Sequence, residues 1–473
     1  MRTSRPRRSI PTLTANTSVR SIGSSIRAAS RWRGAVAGAL LTACASYTAR
    51  PLPEPGAAAW DARRLDDPRV LAALDPVAVG RPLAAWRDSE LAQAAWLLSP
   101  ARVRAEAEVE VARAALRTAS VRRSPGAATE TEYAFSGNDG SSRWGLALSG
   151  LFRLELGGKR DARRAIAEAG VLAAQARGAA EAWELAGEVR HAARVVVALR
   201  RDGEALARVI GLADTTLMLA RSRFDTGTLS RTELARIGAE SSDLRAEHAA
   251  LRRALAEAEA ALAGTLGLPA AALGPLNGVR IAPLPCPATE ARAALLAQAL
   301  ERRWDLRVLV AEYQRAEAGL RLAVAESWPD LDLGPGIFFD HGVGKWTLGL
   351  GLPDLLLHGN RGPIREAMAA RELAGARVLE AQERALGQVE GALAACDARR
   401  QELAAVDETA AIARVAALEA AFARGEVGTL DLVLARAELA RLGRRRVGLE
   451  DAMELAGSAL AQAVGGMPDH GEH

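Results

Sequence analysis

The chain has 473 residues, too many for one ordinary globular domain. Aromatic residues make up only 4%, and the 49% that is hydrophobic is mostly Ala and Leu. That mix suits long helices packed at small side chains better than one large core. The formal charge of +4 belongs to the leader: residues 1–43 hold eight Arg, no Lys and no acid, and without them the balance is −4. The charge therefore gives no case for a nucleic-acid partner.

Residues 1–43 read as a secretory signal with a long basic stretch. Their apolar run, AVAGALLTA, is far short of the ~20 residues that a transmembrane helix needs. The run ends at Cys44, and Leu41 to Cys44 (LTAC) resembles the bacterial lipoprotein signal, in which the Cys becomes the lipidated first residue. The alternatives are a signal without lipid and a later start. Residues 44–87 form an N-terminal extended segment that contains RPLPEPG. Cys286 and Cys396 remain, and nothing in their spacing suggests a metal site or a disulfide framework.

Four short segments then break a helical reading, in two pairs. TETEYAFS (129–136) and RWGLALSGL (143–151) are joined by GNDGS; LDLGPGIFFD (331–340) and WTLGLGL (346–352) are joined by HGVGK. Each alternates with period two between Gly-rich turns, so each is a strand of a hairpin. Tyr133, Phe135, Trp144, Leu146, Leu148, Ile337, Phe339, Trp346, Leu348 and Leu350 fall on one set of faces, opposite mostly small residues. One reading is a soluble, half-buried hairpin. The other is membrane strands, apolar to lipid and small or polar to a lumen. Four strands cannot close a barrel, and open edges cannot sit in lipid, so membrane strands require several chains to share one barrel.

The rest reads as helix. Asp161 to Phe224 runs about 64 residues without Pro, on the order of 95 Å at ~1.5 Å per residue, and Ile364 to Phe422 is a similar run. Each ends in a related turn: FDTGTLSRTEL from Phe224 and FARGEVGTLDL from Phe422, offset by 198 residues. After each turn apolar residues recur with the 3.5 spacing of a coiled coil, through Leu234, Ile237, Leu244, Leu251 and Leu255 in one copy and Leu439, Leu442, Leu449 and Met453 in the other. His248 and Arg446 occupy the same polar position of that seam. Gly227 and Gly425 are expected in the left-handed conformation of a tight reversal, with Ser230 and Thr429 as N-caps of the returning helices. The expected organisation is a duplicated unit of β-hairpin plus long helical hairpin: 88–270 with its tip at Gly227, a linker at 271–287, 288–466 with its tip at Gly425, and a tail at 467–473.

No enzyme signature is found. GGKR (157–160) lacks the spacing and the Ser/Thr of a phosphate loop and reads as a fixed strand-to-helix joint. The tail MPDHGEH offers His and carboxylate for loose Zn or Ni binding, against the simpler reading of a short disordered end.

The two tip motifs, SWPDLDLGPGIFF at the third strand and the terminal AVGG (463–466) together resemble the TolC family of outer-membrane efflux proteins. FRLELGGKRDARRAIAEA (152–169) and LHGNRGPIREA (357–367) look like its heavy-metal-efflux, CzcC-like branch. The resemblance implies a mainly α fold with a small membrane β part, assembled as a homotrimer. Three chains would give a twelve-stranded β-barrel in outer-membrane lipid, continued by an α-helical tunnel. It implies a passive exit duct without cofactor, working with a periplasmic adaptor and an inner-membrane pump of the RND type, for metal cations or small toxic compounds. The adaptor would dock at Phe224, Gly227, Thr228, Leu229 and Ser230 of one tip and at Phe422, Gly425, Glu426, Val427, Gly428 and Thr429 of the other. A family acid beyond the tip lines the tunnel entrance; the matching positions here are Asp431 and Glu233, and Leu434 stands where a second acid would be. A lipid-anchored periplasmic coiled-coil adaptor and a type I secretion duct for proteins are the alternatives.

Overall fold

The computed structural model describes residues 47–52, 56–74, 86–136, 142–273, 281, 284, 286–287, 291–340, 343–352 and 359–466. Cys44 and the 467–473 tail lie outside them. The chain divides into two units, 1–56 and 57–473, and the second holds every element below.

Two short helices, α1 (Ala57–Asp61) and α2 (Pro68–Leu74), precede α3 (Asp88–Leu98) and α4 (Pro100–Ser120). Ser99 ends α3 and starts α4: its hydroxyl accepts from the Ala101 N–H at 3.1 Å, with Pro100 at the first helical position. β1 (Gly126–Tyr133) and β2 (Trp144–Leu154) follow, then α5 (Lys159–Asp225) and α6 (Arg231–Thr265). Then come α7 (Arg292–Arg302), α8 (Trp304–Ala325), β3 (Leu331–Asp340), β4 (Val343–Gly351), α9 (Arg361–Ala404), α10 (Thr409–Ala423) and α11 (Thr429–Ala463).

The strands form one antiparallel sheet in the order β1-β2-β3-β4. Its ends differ from the sequence reading. β1 lies three residues earlier, so Phe135 falls beyond the strand. β2 continues to Leu154, because Leu154 still pairs with Leu331. β4 starts at Val343, opposite Asp340, so three residues of HGVGK are strand. Cross-strand pairing, not the first Gly, sets these ends.

α5 is the spine, packed on α3, α4, α6, α8 and α11. Small residues let the helices approach closely: a Cβ on Gly187 would stand 2.4 Å from the Gln462 side chain of α11, and one on Gly178 would stand 3.1 Å from Ala105 of α4. One apolar cluster joins Leu65, Trp86 and Leu91 to Val189, Leu262 and Leu268; a second joins Leu295 and Val389 to Leu460 and Val464.

The expected continuous helix from Ile364 to Phe422 is interrupted at 405–408. The Asp407 carboxylate accepts the Thr409 N–H at 2.8 Å, a local bond that competes with the helical ladder. Paired left-handed residues precede both long helices, Gly157 (φ 75°) and Gly158 (φ 77°) before α5, Gly359 (φ 58°) and Asn360 (φ 54°) before α9. These pairs are 202 residues apart, whereas the tips are 198 apart. The second long segment is therefore four residues shorter than the first, about one helical turn, and it is the interrupted one.

Candidate functional site

The sheet has two unlike faces. One cross-strand row runs Thr129, Leu148, Ile337, Trp346. Trp144, Leu146, Phe339, Leu348 and Leu350 share its face, and all of these large side chains are exposed, Trp346 at 70% and Leu350 at 68%. Tyr133, 37% exposed, packs on Trp144 with ring centres 4.8 Å apart and on Phe135 at 5.3 Å. The opposite face carries the row Glu130, Ala147, Phe338, Lys345 and, nearer the helices, Arg153 forked onto Asp332 at 2.7 and 2.8 Å. Gly145, Gly334, Gly336, Gly349 and Gly351 keep that face shallow; a Cβ on Gly336 would stand 2.8 Å from the Thr347 hydroxyl. Among the described residues, β1 and β4 are the edges of the sheet, each paired with one strand only.

The GGKR segment forms the joint beneath the sheet. Lys159 opens α5 and its buried ammonium meets Asp330 at 2.6 Å, just before β3. A Cβ on Gly157 would stand 2.8 Å from the Ala325 carbonyl oxygen, so this corner needs Gly for both space and backbone.

At the far end of the helices the two tips have one geometry. The Gly227 N–H bonds the Phe224 carbonyl at 2.9 Å and the Thr228 N–H bonds Arg223 at 2.9 Å. Gly425 to Phe422 at 2.9 Å and Glu426 to Ala421 at 3.0 Å repeat this. Each is a Schellman cap around a Gly at φ 74° or 75°. Leu229 and Ser230 lead into α6, Val427 and Gly428 into α11. Ser230 caps α6 as expected: its hydroxyl accepts from Glu233 N at 3.2 Å, and the Glu233 carboxylate accepts from Ser230 N at 3.1 Å and its hydroxyl at 2.7 Å. Those bonds hold the Glu233 carboxyl below the usual carboxylate range. Thr429 is not the cap of α11. Gly428 holds the extended cap conformation, Thr429 is the first helical residue, and Asp431 accepts from Gly428 N at 3.3 Å. Glu233 and Asp431 thus hold the same place in their helices. A Cβ on Gly428 would stand 2.7 Å from Nη2 of Arg223 and 3.3 Å from Oδ2 of Asp431, so the two tips of one chain meet there.

Between sheet and tips, arginines tie the helices sideways. Arg444 of α11 forks onto Asp202 of α5 at 2.6 and 3.0 Å and reaches Glu247 of α6 at 2.8 Å. These bonds push its pKa up. Arg194 of α5 lies buried between Asp88 of α3 at 3.4 Å and Glu454 of α11 at 3.7 Å. Burial pushes Arg194 down and Asp451, bonded to Arg201 at 2.9 Å, up. Arg446 does not share the seam position of the half-buried His248: it is exposed and pairs with Glu450 at 3.0 Å and Glu408 at 3.6 Å. The reason is that α11 lies between α5 on one side and α9 and α10 on the other, so its buried residues cover more than one stripe. Cys286 and Cys396 form a disulfide with Cα atoms 5.6 Å apart, which their spacing of 110 residues did not suggest. Among the described residues no helix is long and apolar enough to cross a membrane, and no group of three His, Cys, Asp or Glu is placed to hold a metal ion.

Compared with curated proteins, the sequence has no match. Among solved structures, the outer membrane protein VceC of Vibrio cholerae superposes with a TM-score of 0.61 at 18% identity, over 80% of this chain and 96% of that one. CusC, described in terms of folding and transmembrane channel formation, gives 0.62 at 18% identity over 80% and 92%. The outer-membrane channel OprN gives 0.63 at 18% identity over 80% and 90%. The family described as outer membrane efflux protein matches residues 83–268 and again 295–466. The chain belongs to the outer membrane efflux protein family, a family of channels and not of enzymes.

Proposed function

We propose that three copies of this chain form the exit duct of a tripartite efflux system. One observation carries the proposal: a four-stranded sheet with an exposed, continuous apolar face whose edge strands β1 and β4 each pair with one strand among the described residues. Such a sheet meets lipid only if every edge is paired, and three copies joined β4 to β1 give a closed barrel of twelve strands. The helices, four abreast in each half (α4, α5, α8, α9 and then α6, α5, α11, α10), would continue it as a tunnel whose paired hairpins pack as coiled coils. The paired left-handed residues and the matching Schellman caps support a duplicated unit, with the divisions at 88–270, 271–287 and 288–466.

The duct reading brings a periplasmic adaptor to the tips and an RND-type pump beneath, with Cys44 as the lipid anchor. Asp431, repeated three times about the axis, would favour cations at the entrance, and Arg223 beside the same helix start offsets part of that field. Metal ions or other small cations fit as cargo; the metal branch is supported by the 152–169 and 357–367 motifs. A periplasmic adaptor has no use for the apolar sheet face. A type I secretion duct would use the same architecture with a different pump.

The test is the mass of the detergent-solubilised particle together with its conductance in a planar bilayer. Three chains per conducting particle is the expected result. A monomer that inserts stably would sink the proposal.

A further inference from the structure

Three described residues between the two halves, Leu284, Cys286 and Pro287, are strapped across the second. The carbonyl oxygen of Leu284 lies directly over Gly457 of α11, where a Cβ would stand 2.1 Å from it. The Cys286 Sγ is bonded to Cys396 of α9 and lies 3.7 Å from the Met453 carbonyl oxygen of α11. Arg400, one turn beyond Cys396, donates to the carbonyl oxygens of Cys286 at 3.2 Å and Pro287 at 2.8 Å. Five contacts thus seat these residues on two helices, and one of the five is covalent. Cys396 is 1% exposed, whereas Cys286 is half-buried. Besides Cys44, the sequence has no other cysteine.

We infer that Cys286 and Cys396 are joined after export by thiol–disulfide exchange with a periplasmic oxidant that carries a disulfide, and that the bond is the clasp holding the strap across α9 and α11. Exposure sets the order. The Cys286 thiolate attacks the oxidant's disulfide, forms a mixed disulfide and releases one oxidant thiolate. As the strap seats on Gly457, the Cys396 thiolate attacks the Cys286 sulfur and releases the second. The two cysteine protons end on the oxidant, which leaves as the dithiol carrying two electrons. The inference rests on the periplasmic placing of the helices in the duct reading, but its readout does not depend on conduction.

The test is alkylation of protein taken from outer membranes, acid-quenched and unfolded in guanidinium, with iodoacetamide before and after reduction. Cys286 and Cys396 are expected to be unmodified before and fully modified after. Full modification of both without reductant would overturn the inference. A second measurement reads the clasp: in cells lacking the periplasmic oxidant, or in Cys286→Ser, hydrogen exchange of the Leu284 amide, corrected for intrinsic rate, should rise several-fold in the folded protein. Exchange equal to that of the oxidised protein would show that the bond does not hold the strap.

Discussion

Glu233 and Asp431, 198 residues apart, are both the third residue of a helix that returns from a tip, and each carboxylate accepts the backbone N–H of the residue three before it, Ser230 at 3.1 Å and Gly428 at 3.3 Å. An acid in that place has structural work whatever it faces. Its loss has two separable effects, on the turn and on any field in a tunnel. Asp431→Asn should lower cation selectivity in single-channel recordings at low salt, and Glu233→Gln should do so less. Intact conductance with unchanged selectivity in Asp431→Asn would leave the carboxylate as a cap alone.

Acid should loosen the tips and the break at 405–408 before the buried helix clusters. Glu233, Glu426 and Asp407 are all held below their ordinary range, respectively by Ser230, by Arg424 and by the hydroxyl and N–H of Thr409. A depressed carboxyl pKa contributes stability above the unfolded value and loses it as pH falls through the folded one. The window therefore lies below about pH 4. Hydrogen exchange at 224–236 and 405–432, corrected for intrinsic rate, should rise there, while the clusters around Val189 and Val389 stay protected. Uniform protection down to pH 3 would contradict this.

Replacing either tip glycine with Val should destabilise its reversal by about 1–3 kcal/mol. Nothing lies within 4 Å of a Cβ at Gly227 or Gly425, so the cost comes from φ alone. Asn, which tolerates the left-handed region, should cost less at either site. Equal thermal midpoints for the Val and Asn variants would remove φ strain as the cause.

The Arg444 fork is the clearest lateral tie between the two hairpins. Arg444→Ala leaves Asp202 and Glu247 facing each other's charge and should cost about 1–3 kcal/mol in thermal unfolding. Arg444→Lys should restore only part, because an ammonium cannot make the two parallel bonds to Asp202.

On the sheet, Leu348→Arg should impair assembly by about 2–4 kcal/mol if the residue lies at mid-bilayer. Thr347→Lys, one residue away on the other face, should be tolerated. Equal trimer yields from outer membranes for the two variants would mean that the apolar face does not meet lipid.

The sequence revealed what depends on local chemistry. Strict alternation between Gly turns marked all four strands, and a Gly after each Phe marked both reversals. What it hid depends on partners far away in the chain. Arg444 and Asp202 are 242 residues apart, and Cys286 and Cys396 are 110 apart. No spacing rule announces either. The break at 405–408 was hidden differently, because a single Asp–Thr bond inside an Ala-rich helical run is a weak signal. Thr429 was mistaken for a cap because its hydroxyl is the more familiar acceptor, whereas the acid at Asp431 lets Gly428 serve.

The missing turn in the second long segment also limits the symmetry available to whatever meets the tips. Hairpins of equal length would offer six alike positions around a ring. In the proposed trimer, hairpins that differ by four residues, one of them interrupted, would offer three of one kind alternating with three of another. A bound helix would thus sit in one of two unlike grooves, edged by the Thr226–Thr228 corner or by the Arg424–Glu426 pair. Six identical partner chains would have to bind in two classes, with two affinities. A partner that recognises only one class would bind three to the ring and leave every second groove empty.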